Sequence, residues 1–486
     1  MIRPSLDKAK QLAAGGTIIP IALEIFSDLN TPIEILKKLR KQSERWYILE
    51  SVNGGAGWGR YTFLGYNPVL SISGAENTIT IKKGSSETIS DTAPLEALKA
   101  IIADYKSPYI SDFPPFTGGF VGYFSYDFVR HFIPGLTLNA QNTEGFQDFQ
   151  LMLMDKVIAF DHLKQKIYLI VNIKTDDIER NYINGIIELK DMEKMIFNKD
   201  VSDNEERSQC GSFSPAFTED TFAKMVKKVK RHITEGDIFQ AVVSNRFKAS
   251  FKGDLLNAYR ILRTTNPSPY MVYMKLEDLE IACSSPETLV SLQNGEVSSF
   301  PLAGTCPRGK TEKEDRGLID NLLKNEKELA EHDMLVDLAR NDVGKVCQFG
   351  SVSVREYRQI KHFSHVSHIG SCVTGEVQDN KEAIDVIAAA FPAGTLSGAP
   401  KKRACEIIDE AEGAKRGPYG GAIGYIDFTG NMDMCIGIRM AVLKGGNVFV
   451  QSGAGIVADS VPENEYQETL NKARAIMNAL KNEGEV

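Results

Sequence analysis

Two pairs of glutamates have a spacing that could hold a divalent cation. Glu328 and Glu331 lie three residues apart in one segment with a helical pattern, and Glu465 and Glu468 do so in another. Residues three apart share a helical face, and Lys472 joins the second pair on that face. Carboxylate oxygens suit Mg²⁺, but glutamates in a first helical turn are also common partners of the helix dipole. The spacing therefore allows a shared Mg²⁺ site if the fold brings the two helices together.

A cationic side chain lies beside a glycine-rich segment near the C-terminus. DMCIGIRMAVL (433–443) alternates, which predicts one strand with Arg439 pointing away from the aliphatic face. KGGN (444–447) predicts a turn into a second, antiparallel strand. The backbone N–H groups of Gly453–Gly455 could then bind an anion. A surface salt bridge is the alternative for Arg439.

Three further segments resemble anion-binding turns: PLAGT (301–305), GTLSGAPKKR (394–403) and RGPYGGAIGY (416–425). Pro400 suits the first turn of a helix, whose N-terminus could hold a carboxylate or a phosphate. The phosphate loop GxxxxGK[ST] is absent, and no GxGxxG follows a strand with an acidic partner. The sequence therefore does not support binding of ATP or NAD.

Three histidines occur in HFSHVSH (362–368). As a single strand, this segment places His362 and His368 on one face and His365 on the other, which disfavours a three-histidine zinc site. One histidine acting as an acid or a base remains possible, as does a structural role.

The elements that must position these groups alternate between helical and strand patterns, which indicates a mixed α and β protein. TPIEILKKL (31–39) predicts a helix, whereas WYILESV (46–52) and KQKIYLIVNI (164–173) predict strands. The last helix begins near Pro462. Its predicted buried stripe consists of Tyr466, Leu470, Ala473, Met477 and Leu480.

A polar stretch at 198–215 predicts a surface linker. It separates an N-terminal domain, residues 1–197, from a second domain, residues 216–486. The 486 residues provide ample length for a core.

Composition and charge exclude several classes of protein. The net charge is −8, and no long basic run occurs, which argues against nucleic acid or an anionic membrane as a partner. The seven cysteines are an odd number and never occur as CxxC, so neither a disulfide framework nor a zinc site is indicated. No signal peptide or membrane-spanning stretch is recognised, and we expect a soluble cytoplasmic protein.

The order of these motifs resembles the chorismate-utilising enzymes, and most closely the large subunits of anthranilate synthases. The resemblance runs from about residue 17 to residue 480. The matching segments are ILES (48–51), GDIFQAVVSNRF (236–247), NPSPYM (266–271), SSPETLV (284–290), PLAGTCPRG (301–309), EKELAEHDMLVDLARND (326–342), FPAGTLSGAPKKRA (391–404), RGPYGGAIGY (416–425), CIGIR (435–439), QSGAGIVADSVPENEYQET (451–469) and NKA (471–473).

The resemblance implies a fold and an activity. The fold would be α+β, with two packed antiparallel sheets flanked by helices and the N-terminal part interleaved around a chorismate-binding catalytic domain. The activity would be that of a lyase converting chorismate and ammonia to anthranilate and pyruvate, the first step of tryptophan biosynthesis. Ammonia would come from glutamine through a separate amidotransferase subunit, component II, in a heterotetramer of two large and two small subunits.

The resemblance also implies roles for individual residues. Mg²⁺ would be held by Glu331 and Glu468, with Glu465 close by, and catalysis would involve His368, Glu328 and Thr395. His368 is expected to serve the proton transfers. The expected contacts of chorismate are Gly304, Thr305, Tyr419, Arg439, Gly453, Ala454, Gly455 and Lys472.

Feedback inhibition by L-tryptophan is a further implication. ILES and NPSPYM match the segments that bind tryptophan in anthranilate synthases. The expected contacts are Glu50, Ser51, Pro269, Tyr270 and Met271. The alternative is that these are core residues of strands and turns.

Two positions discriminate among the chorismate-utilising enzymes. Gln240 stands where isochorismate and salicylate synthases carry a water-activating lysine, and Ala303 stands where many aminodeoxychorismate synthases carry a nucleophilic lysine. Anthranilate is thus the favoured product. The alternative is component I of an aminodeoxychorismate synthase, which makes 4-amino-4-deoxychorismate for folate. Cys306 and Ser452 depart from the family's common Arg and Ala, and we expect them to alter affinity rather than chemistry.

A non-catalytic, tryptophan-sensing scaffold is the rival from another class. Five family residues are present, namely Glu331, His368, Arg439, Glu468 and Lys472. A catalytically inactive paralogue would be expected to have lost some of them.

Overall fold

The computed structural model describes residues 2–51, 59–198, 208–362 and 366–481. Short 3₁₀ helices occur at Ala13–Gly15, Tyr126–His131 and Gly394–Leu396. The α-helices of these ranges are α1 (Leu6–Leu12), α2 (Pro32–Gln42), α3 (Pro94–Ala103), α4 (Ile178–Phe197), α5 (Glu219–Thr234), α6 (Leu256–Thr265), α7 (Glu312–Leu322), α8 (Glu326–Gly344), α9 (Ala383–Ala390), α10 (Lys401–Glu412) and α11 (Pro462–Lys481).

Strands occur throughout the described ranges. Those before the α4 helix are β1 (Ile2–Arg3), β2 (Ile18–Phe26), β3 (Trp46–Glu50), β4 (Tyr61–Tyr66), β5 (Leu70–Ala75), β6 (Thr78–Lys83), β7 (Ser86–Ser90), β8 (Gly119–Phe124), β9 (Phe149–Met154), β10 (Lys156–Asp161) and β11 (Lys166–Lys174). Those after it are β12 (Gln209–Cys210), β13 (Ser214–Pro215), β14 (Gln240–Lys252), β15 (Tyr270–Lys275), β16 (Leu279–Ser285), β17 (Thr288–Gln293), β18 (Glu296–Ser299), β19 (Leu302–Pro307), β20 (Ser353–His362), β21 (Val366–Glu376), β22 (Gly398–Ala399), β23 (Ala422–Asp427), β24 (Met432–Ile436), β25 (Met440–Lys444) and β26 (Asn447–Ile456).

These strands form two antiparallel sheets. The first sheet has the order β1-β2-β11-β10-β4-β3-β15-β16-β25-β26-β14-β12, with β13 and β22 also paired to β14. The second has the order β19-β21-β18-β17-β24-β23-β8-β9-β5-β6-β7, with β20 paired to β21. Both sheets combine strands from either side of residues 198–215, so the N-terminal part is interleaved with the rest, as predicted.

The core lies in layers around the two sheets. One buried cluster contains residues of both sheets, including Tyr47 and Met274 of the first and Tyr123 and Tyr425 of the second. Helices α2, α4, α6 and α11 cover the outer face of the first sheet, and α3, α8 and α9 cover that of the second. Helices α5 and α10 pack against β14 and the end of β26. The predicted α+β class, two packed antiparallel sheets flanked by helices, is confirmed.

Several predicted elements are confirmed. Helix α2 begins at Pro32, and the Thr31 side chain accepts a hydrogen bond from the backbone N–H of Glu34. The strands predicted at 46–52 and 164–173 correspond to β3 and β11. Helix α11 begins at Pro462 and buries Ala473 and Leu480 of the predicted stripe. Tyr466, Leu470 and Met477, the other members of that stripe, are half-buried.

The prediction of one strand over 433–443 is wrong. The segment forms two strands, β24 in the second sheet and β25 in the first, and the chain crosses between the sheets at Gly437–Arg439. Arg439 has a φ of 52°, in the left-handed region. A Cβ at Gly437 would lie 2.3 Å from the carbonyl oxygen of Pro418. The alternation of side chains in the sequence continues through Gly437–Arg439, so the sequence pattern does not show that the chain changes sheets there. The predicted hairpin from β25 to β26 is confirmed.

The prediction that HFSHVSH forms one strand is also wrong. His362 ends β20 and His368 lies in β21, so the two histidines belong to adjacent strands of a pair. His365 lies outside the described residues. Part of the predicted linker, Gln209–Cys210 and Ser214–Pro215, pairs with β14 rather than forming a free surface segment. The described ranges include no helix that is long and apolar enough to cross a membrane.

Candidate active site

A cavity of about 1150 Å³ opens between helices α8 and α11 and the end of β26. Almost all of the predicted catalytic, substrate and metal residues line it. They are Glu328, Thr395, His368, Gly304, Thr305, Tyr419, Arg439, Gly453, Gly455, Lys472, Glu331, Glu465 and Glu468. Ala454 does not line the cavity, because its side chain is on the other face of β26 and packs in the cluster with α5 and α10.

The two glutamate pairs lie across this cavity from each other. Helix α8 contributes Glu328 and Glu331, and helix α11 contributes Glu465 and Glu468. Burial and the charges of Glu328 and Glu468 raise the pKa of Glu331. Burial and the Glu468 charge likewise raise the pKa of Glu465. A hard divalent cation fits such a set of repelling carboxylates, because it supplies the positive charge and prefers oxygen ligands.

Two basic side chains complete one wall of the cavity. Lys472 Nζ lies 2.6 Å from Glu468 Oε1 and donates to the carbonyl oxygen of Gly453 at 3.0 Å. Arg439 Nη1 donates to the carbonyl oxygen of Lys472 at 2.7 Å, and burial lowers the pKa of Arg439. None of the carboxylates that the structure describes forms an ion pair with Arg439. A partly buried guanidinium without a counter-ion is suited to bind the carboxylate of a ligand.

Close backbone approach shapes the same wall. A Cβ at Gly453 would lie 3.0 Å from the hydroxyl oxygen of Tyr419 and 3.0 Å from the carbonyl oxygen of Val243. Glycine at this position therefore leaves room beside Tyr419, whose pKa is raised by burial. The space lies next to the Arg439 and Lys472 side chains.

His368 reaches the cavity from β21. Its Nδ1 lies 2.9 Å from Thr305 Oγ1 and 3.1 Å from the carbonyl oxygen of Gly304. Because a carbonyl only accepts, Nδ1 carries the proton in that bond and Nε2 carries a lone pair. Burial and the nearby charge of Arg439 lower the pKa of His368, although the bond to Gly304 acts the other way. His368 is therefore neutral near pH 7 and can accept a proton at Nε2.

Glu287 is a functional candidate that the sequence did not single out. Its carboxyl lines the cavity, and Thr395 Oγ1 donates to Glu287 Oε1 at 2.9 Å. Burial raises the pKa of Glu287 to about 7, against the opposing effects of the Thr395 hydrogen bond and the Lys472 charge. Glu287 lies in the recognised motif SSPETLV, which is the only sequence signal that could have pointed to it.

Glu287 and Arg439 lie on two neighbouring connections between the sheets. Glu287 precedes β17, where the chain crosses from the first sheet to the second, and Arg439 precedes β25, where it crosses back. The two connections are hydrogen-bonded to each other: Ile436 N donates to Glu287 O at 3.0 Å, and Ser284 N donates to Arg439 O at 3.0 Å. This arrangement holds a proton donor and a cation against the same cavity.

The N-terminus of α10 does not contribute an anion site to this cavity. The helix begins at Lys401 after Pro400, and neither residue lines the cavity. Lys401 Nζ instead lies 2.9 Å from Asp342 Oδ2. The preceding turn contributes Thr395 and Leu396, while the other two predicted turns contribute Ala303–Thr305 and Tyr419.

The segments predicted to bind tryptophan lie together in the first sheet. Strand β3 pairs with β15, so that Glu50 lies opposite Met271. The Glu50 carboxylate accepts hydrogen bonds from Tyr259 Oη at 2.6 Å and from Arg263 Nη2 at 2.9 Å.

The other residues predicted to contact tryptophan lie at the ends of these segments. Tyr270 Oη donates to Asp433 Oδ1 at 2.8 Å, and Pro269 immediately precedes β15. Ser51 Oγ is buried and has no hydrogen-bond partner among the described residues. None of these residues lines the cavity, so binding of tryptophan at this place stays a prediction.

A two-sheet fold whose cavity joins a carboxylate cluster to a guanidinium without a counter-ion among the described residues is suited to an anionic substrate. The family model for chorismate binding enzymes matches residues 51–478. The chain therefore belongs to the chorismate binding enzymes and is a chorismate-utilising enzyme.

Individual relatives agree with this family. Anthranilate synthase component 1 of Acetivibrio thermocellus is 44% identical over 100% of both chains. The crystal structure of anthranilate synthase component I from Streptococcus pneumoniae TIGR4 superposes with a TM-score of 0.77, at 36% identity, and covers 93% of this chain and 98% of that one. Aminodeoxychorismate synthase component 1 of Bacillus subtilis is 39% identical over 97% of this chain and 98% of its own.

Proposed function

We propose that the chain is the large subunit of an anthranilate synthase, converting chorismate and ammonia to anthranilate and pyruvate in the first step of tryptophan biosynthesis. The observation that carries the proposal is the single cavity in which two glutamate pairs, Arg439, Lys472, His368 and Glu287 meet. Chorismate has two carboxylates, which require a cation, basic side chains and backbone donors for binding.

Binding of chorismate would use both charged ends of the cavity. Glu331, Glu468 and Glu465 would hold Mg²⁺, with Glu328 beside them. When bound, Mg²⁺ would neutralise the ring carboxylate and favour departure of the 4-hydroxyl group. Arg439 would bind the other carboxylate, because its guanidinium lines the cavity and forms no ion pair among the described side chains.

Two groups of this chain would move protons. Glu287, with a pKa of about 7, carries a proton that it can give to the departing hydroxyl as ammonia adds at C2. The product of that step is 2-amino-2-deoxyisochorismate. Neutral His368 would then take the C2 proton at Nε2 as pyruvate leaves.

The ammonia donor and the inhibitor belong to the same proposal. A separate glutamine amidotransferase subunit would supply ammonia, and free ammonium salt should replace it. L-Tryptophan would bind beside β3 and β15 and inhibit the reaction. The position of Ser51, whose buried hydroxyl has no partner among the described residues, supports a ligand at this place.

The second candidate is component I of an aminodeoxychorismate synthase. The Bacillus subtilis relative of that name is almost as similar as the anthranilate synthases. Ala303 lines the cavity, and its methyl group cannot serve as a covalent nucleophile. That position favours anthranilate as the product.

Incubation of the purified chain with chorismate, MgCl₂ and an ammonium salt tests the proposal. Product chromatography and fluorescence should show anthranilate and equimolar pyruvate, both suppressed by tryptophan. An amino product without release of pyruvate would assign the chain to the second candidate. Absence of turnover would favour the tryptophan-sensing scaffold.

A further inference from the structure

Helix α11 lies on an almost entirely apolar row of β26. Alternate side chains of the strand point toward the helix, and one of them is a serine. Val448 and Val450 share a buried cluster with Ala473 and Ile476 of the helix, and Ala454 and Ile456 pack in the cluster that Tyr466 contacts. The complete row consists of Val448, Val450, Ser452, Ala454 and Ile456.

Ser452 connects this row directly to the helix backbone. Its Oγ donates to the carbonyl oxygen of Thr469 at 2.7 Å, and its residue is only 5% exposed. Thr469 follows Glu468 and lies one turn before Lys472, and it is fully buried. The hydrogen bond therefore holds the helical turn that carries one proposed metal ligand and one cavity lysine.

The hydrogen bond from Ser452 can fix the rotation of α11 on the sheet, whereas the apolar contacts cannot. Burial of aliphatic side chains is non-directional and tolerates small rotations of a helix on its sheet. A hydrogen bond has a narrow range of distance and angle. Two further bonds act on the same stretch of helix, from Arg439 Nη1 to Lys472 O and from Lys472 Nζ to Gly453 O.

We propose that Ser452 is a positioning residue that fixes the rotation of α11 on β26 and thereby the approach of Glu465 and Glu468 to the carboxylates of α8. This inference rests on the proposed function, since it concerns the binding of a divalent cation by those carboxylates. Ser452 lies at the wall of the cavity, but its hydroxyl is bonded to the backbone of Thr469 and acts through it. The opposing interpretation is that the serine merely satisfies its own buried hydroxyl.

Substitution S452A separates the two interpretations. Alanine fits the row sterically and removes only the hydroxyl. The affinity of the full chain for Mn²⁺ should fall about tenfold, as is typical when a group that orients a metal ligand is lost. This affinity is measured by electron paramagnetic resonance in the absence of substrate. The Mg²⁺ concentration for half-maximal activity should rise by a similar factor, while kcat at saturating Mg²⁺ stays within about twofold.

The matched control is S208A. Ser208 Oγ also donates to a backbone carbonyl, that of Asp254 at 2.9 Å, but neither residue lines the cavity. Its Mn²⁺ affinity and its Mg²⁺ dependence should equal those of the wild type, even if both variants lose the same amount of thermal stability.

The outcomes distinguish this inference from the proposed function. If S452A binds Mn²⁺ as tightly as S208A while the wild type makes anthranilate, the positioning role is wrong and the proposed function stands. The role is equally wrong if S452A loses kcat at saturating Mg²⁺ with unchanged Mn²⁺ affinity. If the wild type neither binds Mn²⁺ nor makes anthranilate, both proposals fall.

Discussion

Glu287 is protonated at a pH where an ordinary glutamate is ionised. Its carboxyl is largely withdrawn from solvent at the wall of the cavity, and the Thr395 hydroxyl donates a hydrogen bond to it at 2.9 Å. Burial penalises the charged form, whereas the hydrogen bond from Thr395 stabilises it. The protonation state of Glu287 therefore depends in part on Thr395, which can be changed without altering the carboxyl itself.

This balance predicts a pH effect. With the pKa of Glu287 at about 7, kcat/KM for ammonium-dependent turnover should fall as the pH rises through that value, after correction for the fraction of ammonia. T395V removes the hydroxyl that lowers the pKa of Glu287, so the alkaline limb should move to higher pH. T395S keeps the hydroxyl and is the control. An alkaline limb that is identical in T395V and the wild type would remove Glu287 from the proton step.

E287Q should lower kcat by about 10² to 10⁴-fold.

His368 should act in the second half of the reaction. H368A removes the proposed acceptor of the C2 proton, so we expect 2-amino-2-deoxyisochorismate to accumulate and anthranilate formation to slow by about 10² to 10⁴-fold. Chromatography of the quenched reaction separates the two products. Anthranilate formed by H368A at the wild-type rate would contradict this role.

At the residue scale, the sequence motifs predict which residues form most of the candidate site, but they do not predict the pKa values of those residues. Glu331, Glu468 and Arg439 were assigned because they lie in ordered motifs of a known family. Glu287 lies in such a motif as well, but its importance comes from desolvation of its carboxyl beside Thr395. Burial of a side chain between two connections depends on residues far away in sequence, which no local pattern displays.

At the scale of elements, the connection at Gly437–Arg439 decides where the guanidinium points. Gly437 N donates to Gly421 O at 2.8 Å and Gly437 O accepts from Gly420 N at 2.7 Å, so the connection is bound to the turn after Tyr419. The alternating pattern of apolar residues correctly predicted extended chain for β24 and β25. It did not predict that the two strands belong to different sheets. A period of two is the same on both sides of such a crossing.

The close approach at Gly437 gives a second substitution to test. In G437A, the new Cβ would lie 2.3 Å from Pro418 O, so the connection would have to shift and move Arg439 and Tyr419. We expect KM for chorismate to rise about tenfold, since small misplacements of binding groups are costly.

The control for that substitution is G317A. Gly317 lies in α7 with nothing within 4 Å of the position of a new Cβ. This variant should keep the wild-type KM and gain helix stability of about 1 kcal/mol. Equal KM values for G437A and G317A would show that the connection does not position Arg439.

At the scale of the whole molecule, three carboxyls with raised pKa values link stability to pH. Burial raises the pKa of Asp427 to about 7, that of Asp433 to about 6 and that of Glu287 to about 7. Each of these three groups therefore binds more protons in the folded chain than in the unfolded chain between about pH 4 and its raised pKa. Their contribution to the free energy of unfolding should consequently fall as the pH rises through this window.

Chemical denaturation at pH 5 and pH 8 measures this loss. In D433N, the amide oxygen can still accept the hydrogen bond from Tyr270, but the group no longer titrates. The difference in the free energy of unfolding between pH 5 and pH 8 should be smaller in D433N than in the wild type by roughly 1 to 1.5 kcal/mol, because only the interval from pH 5 to the folded-state pKa of about 6 contributes, at 1.36 kcal/mol per pH unit. D112N, which changes an exposed aspartate, is the control. An undiminished difference in D433N would show that Asp433 is ionised in the folded chain.

The interleaving of the sheets also has a consequence for biosynthesis on the ribosome. Strand β3 pairs with β15, which lies more than two hundred residues later in the chain. Strand β8 pairs with β23, which is synthesised near the end of translation. Neither sheet can be completed until the ribosome has synthesised the second half of the chain. The nascent N-terminal half therefore leaves the exit tunnel with unpaired strand edges, which favour aggregation until the remaining strands have been synthesised.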